Sequence, residues 1–344
     1  MNPIDIEIAR FDLSLPIESS PTPPSSWYLQ ADVLQRERDC VLLRQWQPVA
    51  RRSQFVKAGD FVSGCFMDQP YVITQGEDGH LRAFYNVCRH HAALVVEGQG
   101  CSQQLTCPYH GWVYDLDGKL RRAPRLGAVK EFQREQYGLK PVDLEVWGPW
   151  VWINFTPNGR PLAKQLESLA ARVSPESLNR LSFVAQRSYD VACNWKVYVD
   201  NYLDGGYHVE VAHQGLAGQL DLDNYRTEVC EPLVLQSCSS ASTGESAESG
   251  QDFAERVAGG AVYAWLYPNW MFNRYGNILD INWVIPTGPQ TCQTVFEYFF
   301  VDATDNEFIE RSLAASHQVQ LEDIAICESV QRGLASKGYD LGRY

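Results

Sequence analysis

The sequence predicts an α+β protein with two domains, a small domain of short β-strands followed by a larger domain that ends in a long helix. Its 344 residues suit one large or two ordinary domains. The segment 47–156 alternates in short strands broken by Gly and Asp turns, and a breaker-rich linker follows at 157–161. We therefore expect an N-terminal arm and helix over 1–46 that pack with the second domain, the β domain over 47–156, and the second domain over 157–344.

The N-terminal region has two parts. Residues 1–26 are acidic and rich in Pro and Ser, so we expect an extended arm. The segment from Ala31 to Trp46 predicts an amphipathic helix, because its apolar residues recur at helical spacing. The expected apolar side comprises Val33, Leu34, Val41 and Leu42.

The β domain is expected to carry its chemistry in loops between short strands. Tyr71–Thr74 and Trp150–Phe155 are apolar and β-prone, and Ala83–Val87 reads as a strand that enters a first loop. The stretch Gly111–Leu120 predicts a strand that leaves a second loop and turns at Asp117-Gly118.

Each of these two loops presents one Cys and one His. Cys88 and His90 stand in the first loop, and Cys107 and His110 stand in the second. A Rieske [2Fe–2S] cluster needs two thiolates on one iron and two imidazoles on the other, which this set supplies. The alternative is a Cys₂His₂ zinc site. It is less favoured because zinc fingers normally present a Cys pair and then a His pair.

The second domain is expected to hold strands at Val262–Tyr267, Ile278–Ile285 and Thr294–Val301. A capping box of Thr304 and Glu307 predicts the start of a C-terminal helix that runs to about Ser336. Between these elements, the segment 237–250 is rich in Ser, Gly and Glu, and predicts a surface loop beside a pocket.

A second group of metal-binding side chains falls in this domain. His208 and His213 would lie about 140° apart on an ideal helix, so they share an ion only if the helix is distorted or ends between them. Gly205-Gly206 favours such a distortion. A one-electron carrier needs an acceptor, and a two-His, one-carboxylate iron site is the natural one. Asp323 is the best candidate for the carboxylate ligand, because its neighbours one turn away on the predicted helix are mainly apolar. Glu322 is the alternative, and a solvated helix charge is the plain structural interpretation.

Composition limits the remaining function classes. The net charge of −13 and the lack of a basic cluster argue against nucleic-acid binding. No apolar run approaches the ~20 residues of a membrane span. The first 26 residues lack the apolar core of a secretion signal, so we predict a cytoplasmic protein whose other cysteines stay reduced.

The order of these motifs resembles the oxygenase component of Rieske non-heme iron oxygenases, the ring-hydroxylating oxygenase alpha-subunit family. Within that family the chain is most similar to the choline monooxygenase branch. The resemblance is carried by Cys88–Ala92, Asp200–Val209, Tyr267–Gly276 and the C-terminal Gln-x-Glu-Asp at 320–323. It implies a Rieske domain plus a helix-grip catalytic domain with an antiparallel sheet, and a mononuclear Fe(II) bound by His208, His213 and Asp323.

The resemblance also implies partners. Family members form head-to-tail homotrimers, in which a carboxylate near the first iron-binding His bridges the cluster of one subunit to the iron of the next. Many relatives place that carboxylate three residues before the His, where this chain has Gly205; Asp204 is the candidate instead. Asn201 is a candidate for lining the iron site. No nucleotide-binding motif is evident, so a separate ferredoxin or flavin reductase is implied.

Substrate is inferred from the same branch. The expected reaction is hydroxylation of choline to betaine aldehyde hydrate, a step of glycine betaine biosynthesis. Carnitine, glycine betaine, stachydrine or an aromatic acid are alternatives, and a non-catalytic electron-transfer protein is a second class. A quaternary ammonium is held by aromatic rings through cation–π contacts. The densest aromatic segment supplies the candidates Trp265, Tyr267, Trp270, Phe272, Tyr275 and Trp283, together with Tyr263.

Overall fold

The chain divides into two compact units. A computed structural model describes residues 3–126, 129–156, 159–213, 221, 224–239, 256 and 260–344. One unit, here the β unit, is Cys40–Lys164; the other, here the helix–sheet unit, joins Met1–Asp39 to Gln165–Tyr344. Most of the loop predicted over 237–250 lies outside the described residues, although 237 and 238 end a strand. No described helix is long and apolar enough to cross a membrane.

The β unit is built from two antiparallel sheets. Seven strands pair in the order β1-β10-β9-β4-β3-β2-β5, and three more pair in the order β6-β7-β8. The first Cys/His loop follows β4, and the second joins β6 to β7. The strands are β1 Gln47–Arg51, β2 Asp60–Phe66, β3 Gln69–Gln75, β4 Leu81–Tyr85, β5 Gln99–Cys101, β6 Leu105–Thr106, β7 Val113–Tyr114, β8 Leu120–Arg122, β9 Pro141–Trp147 and β10 Trp150–Asn154.

The helix–sheet unit contains one antiparallel sheet of seven strands, in the order β11-β17-β16-β15-β14-β13-β12. This is the antiparallel sheet that the resemblance predicts. Its strands are β11 Ser182–Val191, β12 Arg226–Cys230, β13 Leu233–Cys238, β14 Ala261–Leu266, β15 Trp270–Tyr275, β16 Ile278–Gly288 and β17 Thr291–Phe300.

Two helices, α6 (Trp195–Leu203) and α8 (Asn306–Leu334), pack against each other, and α6 also packs on β16 and β17. Their shared core buries Val197 and Cys327 beside Met271 and Val284 of the sheet. The described helices are α1 Pro3–Ile8, α2 Ala31–Cys40, α3 Leu162–Gln165, α4 Glu167–Arg172, α5 Pro175–Leu178, α6 Trp195–Leu203, α7 Val209–Ala212 and α8 Asn306–Leu334.

The N-terminal region differs from the sequence expectation. The arm is not extended, because α1 and two 3₁₀ turns, Ile17–Ser19 and Ser25–Tyr28, occupy it. Helix α2 ends at Cys40 rather than Trp46. Val41 leaves helical dihedrals with φ −123°, and the turn that follows carries Leu42 to full burial.

The C-terminal helix also begins later than predicted. Asp305, not Thr304, is the N-cap, because its side chain accepts a hydrogen bond from Phe308 N–H at 3.0 Å. The Thr304 hydroxyl instead donates to Asp302 at 2.6 Å. The 29-residue helix ends at Leu334.

Candidate functional site

The two Cys/His loops of the β unit have matched backbone geometry. In the first loop, Cys88 N–H donates to Ala93 O at 2.8 Å, and Ala92 N–H donates to Cys88 O at 3.0 Å. The second loop repeats both bonds at the same offsets and distances, through Cys107, Gly111 and Trp112. The fifth residue of each loop has a positive φ, 62° at Ala92 and 69° at Gly111. Two equivalent turns therefore hold their Cys side chains in the same way, whereas His90 and His110 stand two and three residues after the Cys.

The ligand side chains of these loops suit a two-iron cluster. Cys88 and Cys107 are 3% and 2% exposed, whereas the His90 and His110 rings reach outward with centroids 4.6 Å apart. Nδ1 of His90 is buried and has no hydrogen-bond partner among the described residues. An orphaned imidazole nitrogen beside buried thiols fits a Rieske centre, because cluster iron would take that nitrogen as a ligand.

Burial acts on the two kinds of ligand in these loops, His and Cys, and favours the neutral form of each. Burial lowers the pKa of His90, and the neighbouring His91 and His110 lower it further, so the ring is held neutral as a ligand must be. Burial raises the pKa of the Cys88 thiol, although hydrogen bonds from Tyr114 and from His90 N–H act in the opposite direction. The Tyr114 hydroxyl lies 3.4 Å from Cys88 Sγ.

A single-ion site forms in the helix–sheet unit. Nε2 of His208 lies 3.0 Å from Nε2 of His213, and Asp323 Oδ1 lies 3.6 Å and 3.2 Å from these two nitrogens. In the described part of the chain, this is the one group of three or more His, Cys, Asp or Glu whose ligand atoms all lie within 4.8 Å of one another. The two thiols and two imidazoles of the β unit do not converge in this way, which argues against a tetrahedral zinc ion there.

The end of helix α6 before the two histidines explains their convergence. Helix α6 ends at Leu203, and Gly205 and Gly206 follow with φ of 72° and 79°, values that favour glycine. A single turn, α7, then separates the two histidines. The helix therefore ends before both histidines, at the glycine pair that favoured a distortion, rather than between them, so the 140° separation of an ideal helix does not apply.

Each of the three side chains is held by a second polar group. Asp204 Oδ2 lies 2.5 Å from His208 Nδ1, and Glu322 Oε2 lies 2.7 Å from His213 Nδ1. Asn201 Nδ2 donates to Asp323 Oδ1 at 2.7 Å. Carboxylates on the outer nitrogens fix the ring orientation and leave both Nε2 atoms facing the position that an ion would take. Glu322, considered above as an iron ligand, is thus placed on His213 instead.

Charge coupling within this group shifts the pKa of its members. Burial acts to lower the pKa of His208, but hydrogen bonds to Asp204 and Asp323 outweigh it and raise the pKa to about 9. His213 is raised in the same way, chiefly by Asp323 against the effect of burial. Burial acts to raise the pKa of Asp323, but the two histidines hold it below its usual range. The donor set of two imidazoles and one carboxylate fits a facial iron site.

A cavity of about 150 Å³ adjoins this group. It is smaller than the ~300–1,000 Å³ of drug-sized sites, so it suits a compact ligand. His208, His213 and Asp323 form part of its wall, with Asp204 and Asn201 beside them. The rings that line it are Tyr198, Tyr202, Tyr225, Tyr263, Tyr275 and Phe296.

Most of the aromatic residues predicted to contact substrate lie elsewhere. Tyr275 lines the cavity, as does Tyr263, but Trp265, Tyr267, Trp270, Phe272 and Trp283 do not. Side chains alternate along a strand, and the face of β15 and β16 that carries Asn273 and Asn282 forms the wall. Trp270, Phe272 and Trp283 point to the opposite face. Trp265 pairs with Met271 and packs in the core under α6, and Tyr267 lies in the turn after β14.

Sequence reasoning missed the polar part of the wall. The cavity is also lined by Gln236, Arg256, Asn273, Asp280, Asn282 and Gln320. Each is less than one-tenth exposed. The available signal was the placement of Asn and Asp at alternate positions in β-strands that are otherwise apolar, since buried polar groups need partners or a ligand.

Two family models match the chain. A model of the Rieske [2Fe-2S] domain matches residues 45–133, and one of the ring hydroxylating alpha subunit catalytic domain matches residues 178–344. Choline monooxygenase from Arabidopsis thaliana, a chloroplastic protein, is 41% identical over 98% of this chain and 82% of its own length. The carnitine monooxygenase oxygenase subunit of Escherichia coli K12 is 31% identical over 92% of this chain and 85% of its own.

Solved structures agree with these matches. The quaternary ammonium Rieske monooxygenase CntA in complex with L-carnitine has a TM-score of 0.80 at 28% identity, covering 95% of this chain and 89% of that one. Naphthalene 1,2-dioxygenase from Rhodococcus sp. shares the fold, with a TM-score of 0.78 at 17% identity over 94% of this chain and 85% of that one. The chain therefore belongs to the Rieske non-heme iron oxygenases, enzymes with a Rieske [2Fe–2S] cluster and a mononuclear iron, within the choline monooxygenase-like group.

Proposed function

We propose that the enzyme hydroxylates choline at its alcohol carbon, giving betaine aldehyde hydrate. The observation that carries this proposal is a small cavity, lined by tyrosines and carboxylates, directly beside the His208, His213 and Asp323 group. The 41% identity to a choline monooxygenase supports the same substrate.

Four residues of the β unit would hold the cluster, Cys88 and Cys107 on one iron and His90 and His110 on the other. His208, His213 and Asp323 would hold the mononuclear iron. When bound, that iron supplies the activation of O₂, with electrons from the cluster. Asp204 and Glu322 keep the two imidazoles oriented, because each accepts a hydrogen bond from the outer ring nitrogen.

The tyrosines of the cavity suit a quaternary ammonium group, which cannot donate an N–H hydrogen bond. Tyr263 lies at the centre of the group, with ring centroids 6.4 Å from Tyr202, 6.4 Å from Tyr225 and 5.7 Å from Tyr275. The rings meet at different angles, two of them edge-on, so they form a concave wall rather than a stack. Cation–π contact with such a wall is worth ~2 kcal/mol where water is excluded.

The charges of the cavity favour choline over a substrate with its own carboxylate. Among the described lining residues, Arg256 carries the one permanent positive charge. Its guanidinium pairs with Asp280, donates to Ser312 and lies 5.1 Å from the Tyr275 ring. A carboxylate such as that of carnitine would have to displace these partners. A cation without a carboxylate faces Asp204, Asp280 and Asp323 instead.

The proposed reaction needs two electrons from outside the enzyme for each O₂ that it consumes. One C–H bond of the alcohol carbon breaks and one C–O bond forms, and O₂ with two electrons and two protons gives the inserted oxygen atom and one water. A separate ferredoxin or flavin reductase supplies the electrons.

We further propose a homotrimer in which Asp204 links the cluster of one subunit to the iron of its neighbour. The cytoplasmic location stays a prediction.

The test is O₂ consumption by the iron-loaded enzyme with a surrogate reductase. Choline should give uptake together with betaine aldehyde, and the His208→Ala variant should give neither. L-carnitine, glycine betaine, stachydrine and benzoate are assayed alongside it. Turnover of carnitine without turnover of choline would contradict the proposal. If none of the compounds in the panel gave a product, an electron-transfer protein would be the better description.

A further inference from the structure

A directional chain of hydrogen bonds crosses the cavity wall. The Tyr202 hydroxyl donates to Asn273 Oδ1 at 2.8 Å, and Asn273 Nδ2 donates to Asn282 Oδ1 at 2.6 Å. Asn282 Nδ2 donates to the Tyr198 hydroxyl at 3.4 Å, which in turn donates to Gln320 Oε1 at 2.6 Å. All five side chains line the cavity. Each bond fixes the orientation of the next group, so the chain ends with the amide nitrogen of Gln320.

That terminal nitrogen has no hydrogen-bond partner in the described part of the chain. Gln320 is 1% exposed, and its Nε2 makes no hydrogen bond among the described residues. A buried donor without a hydrogen-bond acceptor costs ~1–3 kcal/mol, so the position favours a ligand that brings an acceptor. Gln320 lies one turn before Asp323 on α8, which places their Cβ atoms ~5–6 Å apart on one helix face. The unpartnered donor therefore belongs to a residue that lines the same cavity wall as Asp323.

We propose that Gln320 binds the alcohol oxygen of the substrate and thereby places the adjacent carbon next to the iron site. This inference rests on the proposed function and deepens it. The trimethylammonium group of choline can neither donate nor accept a hydrogen bond, so its hydroxyl is the group that the Gln320 amide recognises. A hydroxyl can accept a hydrogen bond from the Gln320 amide, so it would complete the polar chain. Gln320 is thus a substrate-binding residue that selects which carbon is oxidised.

The test compares the binding of choline with that of ethyltrimethylammonium, which has the same charged group and no hydroxyl. Dissociation constants are measured by calorimetry on the anaerobic iron-loaded enzyme. The wild-type enzyme should prefer choline by roughly tenfold, the value of one hydrogen bond to a buried donor. Gln320→Met keeps the length of the side chain without its polar atoms and should abolish that preference. Gln331→Met is the matched control, because Gln331 is a buried Gln of the same helix that donates to Tyr28 O, outside the cavity.

A second variant keeps the test decisive if the first variant does not fold. Tyr198→Phe leaves Gln320 intact and removes the hydroxyl that aligns it, so the preference for choline should fall by roughly threefold. Equal binding of both cations by wild-type enzyme would overturn the inference, as would a full preference retained in Gln320→Met or, where that variant does not fold, in Tyr198→Phe. Preference for choline without formation of betaine aldehyde would instead count against the proposed function alone.

Discussion

Asp204 and Glu322 invite a direct comparison, because each holds one of the two imidazoles of the proposed iron site. Asp204 lies 2.5 Å from the outer nitrogen of His208, and Glu322 lies 2.7 Å from that of His213. Their side chains are 28% and 26% exposed, so solvent screens them to a similar degree. We predict that Asp204→Asn and Glu322→Gln weaken iron binding alike but differ in turnover, since only Asp204 is proposed to pass electrons between subunits.

The shared part of the effect follows from the hydrogen bond. A bond to a charged acceptor contributes ~1.5–3 kcal/mol, whereas a neutral amide that keeps the geometry contributes ~1 kcal/mol. The difference of ~1.4 kcal/mol corresponds to about a tenfold loss of iron affinity for either variant. The loss specific to Asp204 should appear on top of it, and a further ~100-fold in turnover would match the upper range for groups that support a metal ligand.

The assay separates the two contributions. Iron content per chain gives the affinity, and choline-dependent O₂ uptake at saturating iron gives the turnover. A single-turnover measurement with a chemically reduced cluster then reports the transfer of electrons to the iron. Glu322→Gln should recover most of its activity when iron is saturating, whereas Asp204→Asn should not. Equal recovery in both variants would refute an electron-transfer role for Asp204 and leave it as an orienting group.

Three further outcomes are expected. Tyr114→Phe should lower the cluster reduction potential by ~40 mV in a redox titration, because a hydrogen bond to a ligand sulfur favours the reduced state. Tyr71→Phe is the control and should leave the potential unchanged, because the Tyr71 hydroxyl contacts Val49 O instead. His208→Ala should reduce iron from about three to about two per chain by elemental analysis, with the cluster spectrum unchanged. Asp280→Asn should lower the free energy of unfolding by ~3–5 kcal/mol, because it leaves Arg256 buried and unpaired, and adding Arg256→Met should restore much of that loss.

The candidate metal ligands could be selected from the sequence because their chemistry is local in sequence. Cys88 and His90 lie within one turn, and the second loop offers the same pair of residue types, Cys107 and His110, three residues apart. His208 and His213 needed more, since their convergence depends on the helix ending at Gly205-Gly206. The glycine pair supplied that signal.

The role of Glu322 could not be assigned in the same way. It is adjacent to Asp323 in sequence, and either carboxylate could have been the ligand. Their difference arises from position on α8, where neighbouring residues point about 100° apart. Asp323 consequently faces both imidazoles, and Glu322 reaches only the far side of His213. Composition and spacing do not encode this rotation, because it depends on how α8 packs.

The aromatic residues of the pocket show a related limit, with a partial remedy in the sequence itself. Counting rings cannot assign a strand face, because one strand such as β15 carries Phe272 on one side and Tyr275 on the other. Polar residues inside a strand can assign it. Residues 278–282 of β16 are buried on both faces, yet Asp280 and Asn282 share one of them. A fully apolar environment would penalise both, so that face is expected to present polar partners or a ligand. Asn273 of β15 pairs with Asp280 and therefore lies on the same face of the sheet. Along β15 that face also carries Tyr275 but not Phe272, and Tyr275 is the one of these two rings that lines the cavity.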